Sequence, residues 1–84
     1  MLSKGEFEMT SQAKMTKGQE ELFKIFKMAI IAEQEAQEMY KKAASFCEDE
    51  DIKAILHDFI AEEEHHENKL MELYEYLKKK LEIE

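Results

Sequence analysis

The chain has 84 residues with no proline, two glycines and one cysteine, and it carries a net charge of −8. That length allows one domain at most, and that charge argues against a nucleic-acid or anionic-membrane surface, both of which need a basic patch. No apolar run approaches the roughly 20 residues of a membrane span, MLSKGEFEMT at the start lacks a signal-peptide core, and a lone Cys47 forms no disulfide framework, so the expected compartment is the cytoplasm.

Residues 1–16 are mixed and mostly polar and are expected to form a flexible arm ahead of a helical domain at 17–84. Phe7, Met9 and Met15 are the residues by which that arm would dock. Thr16 to Gln19, TKGQ, has the pattern of a capping box. From Gln19 to about Phe46 nothing interrupts a helix, and Ala, Leu, Met, Glu, Lys and Gln favour one. CEDEDI follows, where Asp49 or Asp51 caps a second helix and acids suit its positive end. That helix is expected to reach about Lys80, with KKK at 78–80 suiting its negative end. The fold class is therefore all-α, an antiparallel helical hairpin with each helix about 45 Å long. Two such helices cannot cover both apolar faces, so the expectation is a four-helix bundle by homodimerisation.

At about 100° per residue, Leu22, Phe26, Ala29, Ile30, Ala36, Tyr40, Ala44 and Cys47 share one face of the first helix, with Glu33 in its middle. Ile52, Leu56, Phe59, Ile60, Leu70, Leu73, Leu77 and Leu81 share a face of the second. Glu63 lies near its centre and His66 within its edge, while His57 and His65 point away. AEEEHHENKL at 61–70 offers two registers of Glu-x-x-His, and helical phase selects Glu63 with His66. A carboxylate buried charged and unpaired costs several kcal/mol. Glu33 lies about as far before the turn as Glu63 lies after it, so the hairpin brings them to one height. A twofold axis doubles the set to four carboxylates and two imidazoles, the inventory of di-iron carboxylate bundles. Oxygen and imidazole donors suit iron or manganese and leave zinc open. The bland alternative is a metal-free polar layer that fixes bundle register.

Glu35, Glu62 and Glu67 flank the set and are expected to be solvated, as are His57 and His65. Cys47 reads as an apolar helix-end residue about 20 Å from Glu33. Ile25, Met28, Met39 and Phe46 lie to one side of the first helix's stripe and Ile31 opposite it. They suggest a second contact surface, for a larger oligomer or the docked arm.

AIIAEQEAQEMY at 29–40 resembles the Ala-x-x-x-Glu-x-x-Ala-x-x-x-Tyr of the rubrerythrin branch of the ferritin-like superfamily. DIKAILHDFIAEEEHH at 51–66 resembles that family's apolar helix ending in Glu-x-x-His, and SFCEDEDIKAIL resembles the turn between the two. The resemblance covers roughly residues 20–77. It implies that Glu33, Glu63 and His66 are metal ligands and catalytic residues, and that Tyr40 orients a ligand carboxylate. The half-length hairpin is similar to the encapsulated ferritins, some of them fused to encapsulin shells. That similarity implies a homo-oligomer, dimer or larger, with two Fe ions per dimer in a ferroxidase centre across the interface. It also makes an encapsulin-type shell a candidate partner, although KKKLEIE is no obvious shell-targeting tail. The alternatives are a rubrerythrin-like peroxide reductase served by a separate electron donor, and a non-enzymatic oligomerisation module.

Overall fold

The first helix starts where the sequence carries its capping box. Thr16 Oγ1 accepts the Gln19 N–H at 3.1 Å, and Gln19 Oε1 accepts the Thr16 N–H at 2.8 Å. Two donors left without partners at the helix start are thereby satisfied. α1 spans Lys17–Phe46 and α2 spans Glu50–Lys80. The computed structural model describes residues 15–81; all of the expected arm except Met15 and Thr16, and residues 82–84 of the expected helical domain, lie outside them.

The connection is only Cys47 to Asp49. The Cys47 N–H donates to the Ala44 carbonyl at 3.2 Å, and its thiol donates to the Asp49 carbonyl at 3.3 Å. Asp49, of the two candidates, caps α2: its carboxylate accepts the Ile52 N–H at 3.1 Å. Glu50 and Asp51 fill the first turn of α2, and Lys78, Lys79 and Lys80 fill its last.

The side chains sunk between the helices recur at alternating steps of three and four. On α1 they are Phe23, Phe26, Ile30, Glu33, Gln37, Tyr40, Ala44 and, just past its end, Cys47. On α2 they are Leu56, Ile60, Glu63, Glu67, Leu70, Tyr74 and Leu77. This 3.5-residue period is that of a coiled-coil seam. Phe23 meets Tyr74 edge-on at 5.2 Å near the open end, and Tyr40 meets Phe59 at 5.4 Å nearer the turn. Each such pair contributes roughly 0.5–1.5 kcal/mol beyond its buried area.

The seam is narrower than the stripe that 100° steps outline. Leu22, Ile52, Phe59 and Leu73, expected on the inward faces of a two-copy bundle, are 39 to 50 % exposed in the single chain. Phe23 and Gln37, absent from that stripe, are among the buried residues. The reason is geometric: two helices touch along one line, and positions flanking it have nothing to pack against in one chain. Among the described residues only Phe23, Gln37 and Ala44 are buried, and no side chain is fully enclosed.

The two flanks of the seam differ in character. Leu22, Ala29, Ala36 and Ala43 of α1 and Ile52, Phe59, His66 and Leu73 of α2 occupy one side. The other carries Lys27, Gln34 and Lys41 opposite His57, Glu64, Met71 and Lys78, and a shallow groove there is lined by Lys27, Gln34, Met71 and Tyr74. One broad side of the hairpin is thus apolar and exposed, and the other is wet. Among the described residues no helix is long and apolar enough to cross a membrane.

Candidate metal centre

Glu33, Glu63 and His66 meet between the two aromatic pairs, near the middle of both helices. Glu63 and His66 stand three residues apart on one face of α2, and Glu33 faces them across the seam. His66 Nδ1 is 3.5 Å from Glu63 Oε1 and 3.7 Å from Glu33 Oε1. One ligand atom from each of the three lies within 4.8 Å of the others. The carboxylate side chains are 23 and 22 % exposed and the imidazole 55 %. The acids are therefore sunk in the seam, and the histidine stands on its rim, on the apolar flank.

The electrostatics of this trio are lopsided. Glu33 Oε1 is buried and has no hydrogen-bond partner. Its carboxyl is held above the usual range, first because it would share a proton with Glu63, then because of burial and repulsion from the Glu63 charge. His66 acts in the opposite direction but does not cancel these effects. A hydrogen bond between two carboxyls needs a proton on one of them. When both are ionised, the buried oxygen has no donor at all. A divalent cation would supply the missing charge. Metal–oxygen and metal–nitrogen bonds of about 2 Å fit a ligand set of this spacing after small side-chain adjustments. The residues present fit a metal.

One polar contact was not foreseen. Gln34 Nε2 donates to Glu67 Oε2 at 2.8 Å, and Gln37 Nε2 donates to Glu67 Oε1 at 2.7 Å. Glu67, expected to be solvated, is half-buried and clasped by two amides one turn beyond Glu63. Those hydrogen bonds, Gln34's first, hold its carboxyl below the usual range. The three–four spacing from Phe23 through Cys47 passes through Gln37 and was the available signal for it. Glu35, Glu62, His57 and His65 are exposed, as expected. Tyr40 lies about 10 Å along the helix from Glu33 and packs on Phe59.

A two-helix hairpin with a carboxylate–imidazole cluster at mid-length is half of a ferritin-like bundle in form. The chain belongs to the rubrerythrin family, whose model matches residues 2–83. It is also similar to the ferritin-like–encapsulin shell fusion protein of Pyrococcus furiosus, with 43% identity over 54 residues. That alignment covers 64% of this chain and 16% of the relative, so the chain spans a small part of that protein's length. No solved structure matches.

Proposed function

We propose that two copies of this chain close their apolar flanks on each other and bind two Fe(II) ions between their Glu33, Glu63 and His66 sets. The observation that carries this reading is the buried, unpartnered Glu33 oxygen facing a second carboxylate and an imidazole. The exposed apolar flank around His66 supports the second copy. Family membership supports iron as the metal.

Fe(II) is the substrate in this reading. Each ion gives up one electron, and dioxygen or peroxide accepts the pair. The chain's share of the work is electrostatic. Ionised Glu33 and Glu63 favour the higher charge of the ferric product. Glu33, whose carboxyl is held up beside Glu63, releases its proton as cations bind, because proton and metal compete for the same oxygens. His66 adds a donor on the rim, where a second copy would exclude water. The relative's name joins a ferritin-like part to an encapsulin shell, and we extend this to a shell of that type as the receiver of ferric product.

Anaerobic titration tests the centre. Fe(II) binding is expected to saturate near two ions per dimer, and Glu63→Ala is expected to abolish it. Full binding by that variant would remove Glu63 from the site. Stopped-flow oxidation then reads the chemistry: ferric product should accumulate with oxidant alone. Peroxide turnover that needs an added electron donor and leaves no ferric product would indicate a peroxide reductase instead.

A further inference from the structure

Glu67 is a third carboxylate at the seam, and helix geometry sets its place there. Gln37 stands four residues nearer the turn than Glu33, and Glu67 four residues farther from it than Glu63. Side chains on a helix lean toward its N-terminus. Gln37 therefore leans away from the turn and Glu67 leans toward it. They meet with Gln37 Nε2 at 2.7 Å from Glu67 Oε1, at the height of the candidate ligands. Gln34 Nε2 closes on Glu67 Oε2 at 2.8 Å from the wet flank, the side away from His66.

Both oxygens of Glu67 thus accept an amide N–H. Glu33, Glu63 and His66 bring one ligand atom each within 4.8 Å of the others, and Glu67 stands outside that group. Oxygen donors suit the same cations, so a half-buried carboxylate beside the centre is a ready competitor for any open position there. Hydrogen bonds to a charged group are the stronger kind, and Glu67 must give up two of them before it can turn to a cation. Gln37 is buried, where an amide without a partner is costly, so it holds on from its side as well. Glutamine is suited to this task. A lysine or arginine would hold Glu67 as firmly but cancel its charge. Neutral amides fix the carboxylate and leave its charge to attract a cation toward the seam.

We propose that Gln34 and Gln37 hold Glu67 out of the ligand set. Each chain then gives the centre two carboxylates and one imidazole, and the position that a third carboxylate would take stays open to the oxidant. Gln34 and Gln37 are positioning residues in this scheme, acting through Glu67. The proposal rests on the reading of Glu33, Glu63 and His66 as an Fe(II) site, and it adds what limits the number of ligands.

Anaerobic calorimetric titration with Fe(II) tests it in the full-length chain. Gln34→Leu with Gln37→Leu frees Glu67 and should tighten Fe(II) binding by about tenfold, the scale on which groups behind a metal's ligands act. Adding Glu67→Leu should remove that gain. This triple variant leaves no member of the clasp unpaired, because all three polar groups are replaced by apolar ones. A purely structural clasp would do the reverse: its loss would loosen the seam and weaken Fe(II) binding. Weaker or unchanged binding by the double variant overturns the proposal, and so does a gain that survives Glu67→Leu. Should the double variant lose its helical circular dichroism, Gln34→Ala takes its place. It lies at an exposed position, frees Glu67 Oε2 alone, and should give a smaller gain that Glu67→Leu again removes. Stopped-flow mixing with dioxygen gives a second readout, in which the tighter-binding variant should oxidise its Fe(II) more slowly than the parent. If the parent chain binds no Fe(II), this proposal and the metal centre fall together. If the parent binds it and Glu67 has no part in the variants' affinity, this proposal alone falls.

Discussion

Glu33 carries the strongest electrostatic tension of the candidate centre in one carboxyl group. Its buried oxygen has no donor, and its proton affinity is raised by Glu63 and by burial. A carboxyl that is harder to ionise in the folded state stabilises the fold at low pH. That contribution is fully present below the unfolded carboxyl's value and is lost as pH rises through the raised folded value. Metal-free protein should therefore lose stability as pH climbs out of the usual carboxylate range toward neutrality. Glu67 works in the opposite sense: its carboxyl is held low, so its contribution is present above the unfolded value and fades only in stronger acid. Glu33→Gln should flatten the Glu33 part of the profile and raise metal-free stability at neutral pH by roughly 1 kcal/mol or less, given solvent screening. The same change should shrink the gain in melting temperature on adding Fe(II). Urea melts of both proteins across the pH range check this; identical slopes would mean that Glu33 ionises as a free side chain does.

At the level of the helices, most of the plan was legible before any coordinates. Thr16 with Gln19 marks the first start, Asp49 with its neighbouring acids marks the second, and the absence of glycine and proline between them leaves two uninterrupted helices. Glu33, Glu63 and His66 were legible for a related reason: helical spacing puts acids in an apolar stripe only where something holds them. The Gln34–Gln37–Glu67 clasp was not legible. Glutamine is a strong helix former with no preferred depth, and a stripe centred between seam and flank hides which of two adjacent positions is buried. Phe23 was missed beside Leu22 for that same reason. The clasp joins α1 to α2 one turn from the candidate ligands, so it should be felt in hairpin stability. Gln37→Ala is expected to lower the melting temperature by a few degrees, because the amide it removes is buried. Glu67→Gln should cost clearly less in that background than in the parent protein. Equal costs in both backgrounds would show that the clasp carries no coupling.

The whole molecule is a core cut open. A hairpin whose described residues enclose no large side chain has little apolar burial to set against the entropy of ordering two long helices. In the proposed function a second copy supplies the balance, so melting should depend on protein concentration. A tenfold increase stabilises a dimer by about 1.4 kcal/mol, and calorimetry or circular dichroism at several concentrations should show the midpoint rising. A midpoint independent of concentration would mean that the lone hairpin is stable by itself. The short turn has one more consequence, for how such a bundle is wired as a single polypeptide. Because Cys47–Asp49 closes one end, α1 begins and α2 finishes at the other. If two copies lie with their turns opposed, the exit of the first and the entrance of the second are a full bundle length apart, about 45 Å. Residues 82–84 and 1–16 placed in tandem can reach roughly 60 Å when extended, enough to bridge that span. Two copies joined directly should therefore fold as one monomeric four-helix chain. Removing residues 1–14 from the joint leaves a tether too short for the crossing, and the fused chains should then exchange hairpins with one another and run at twice the mass or more on size exclusion.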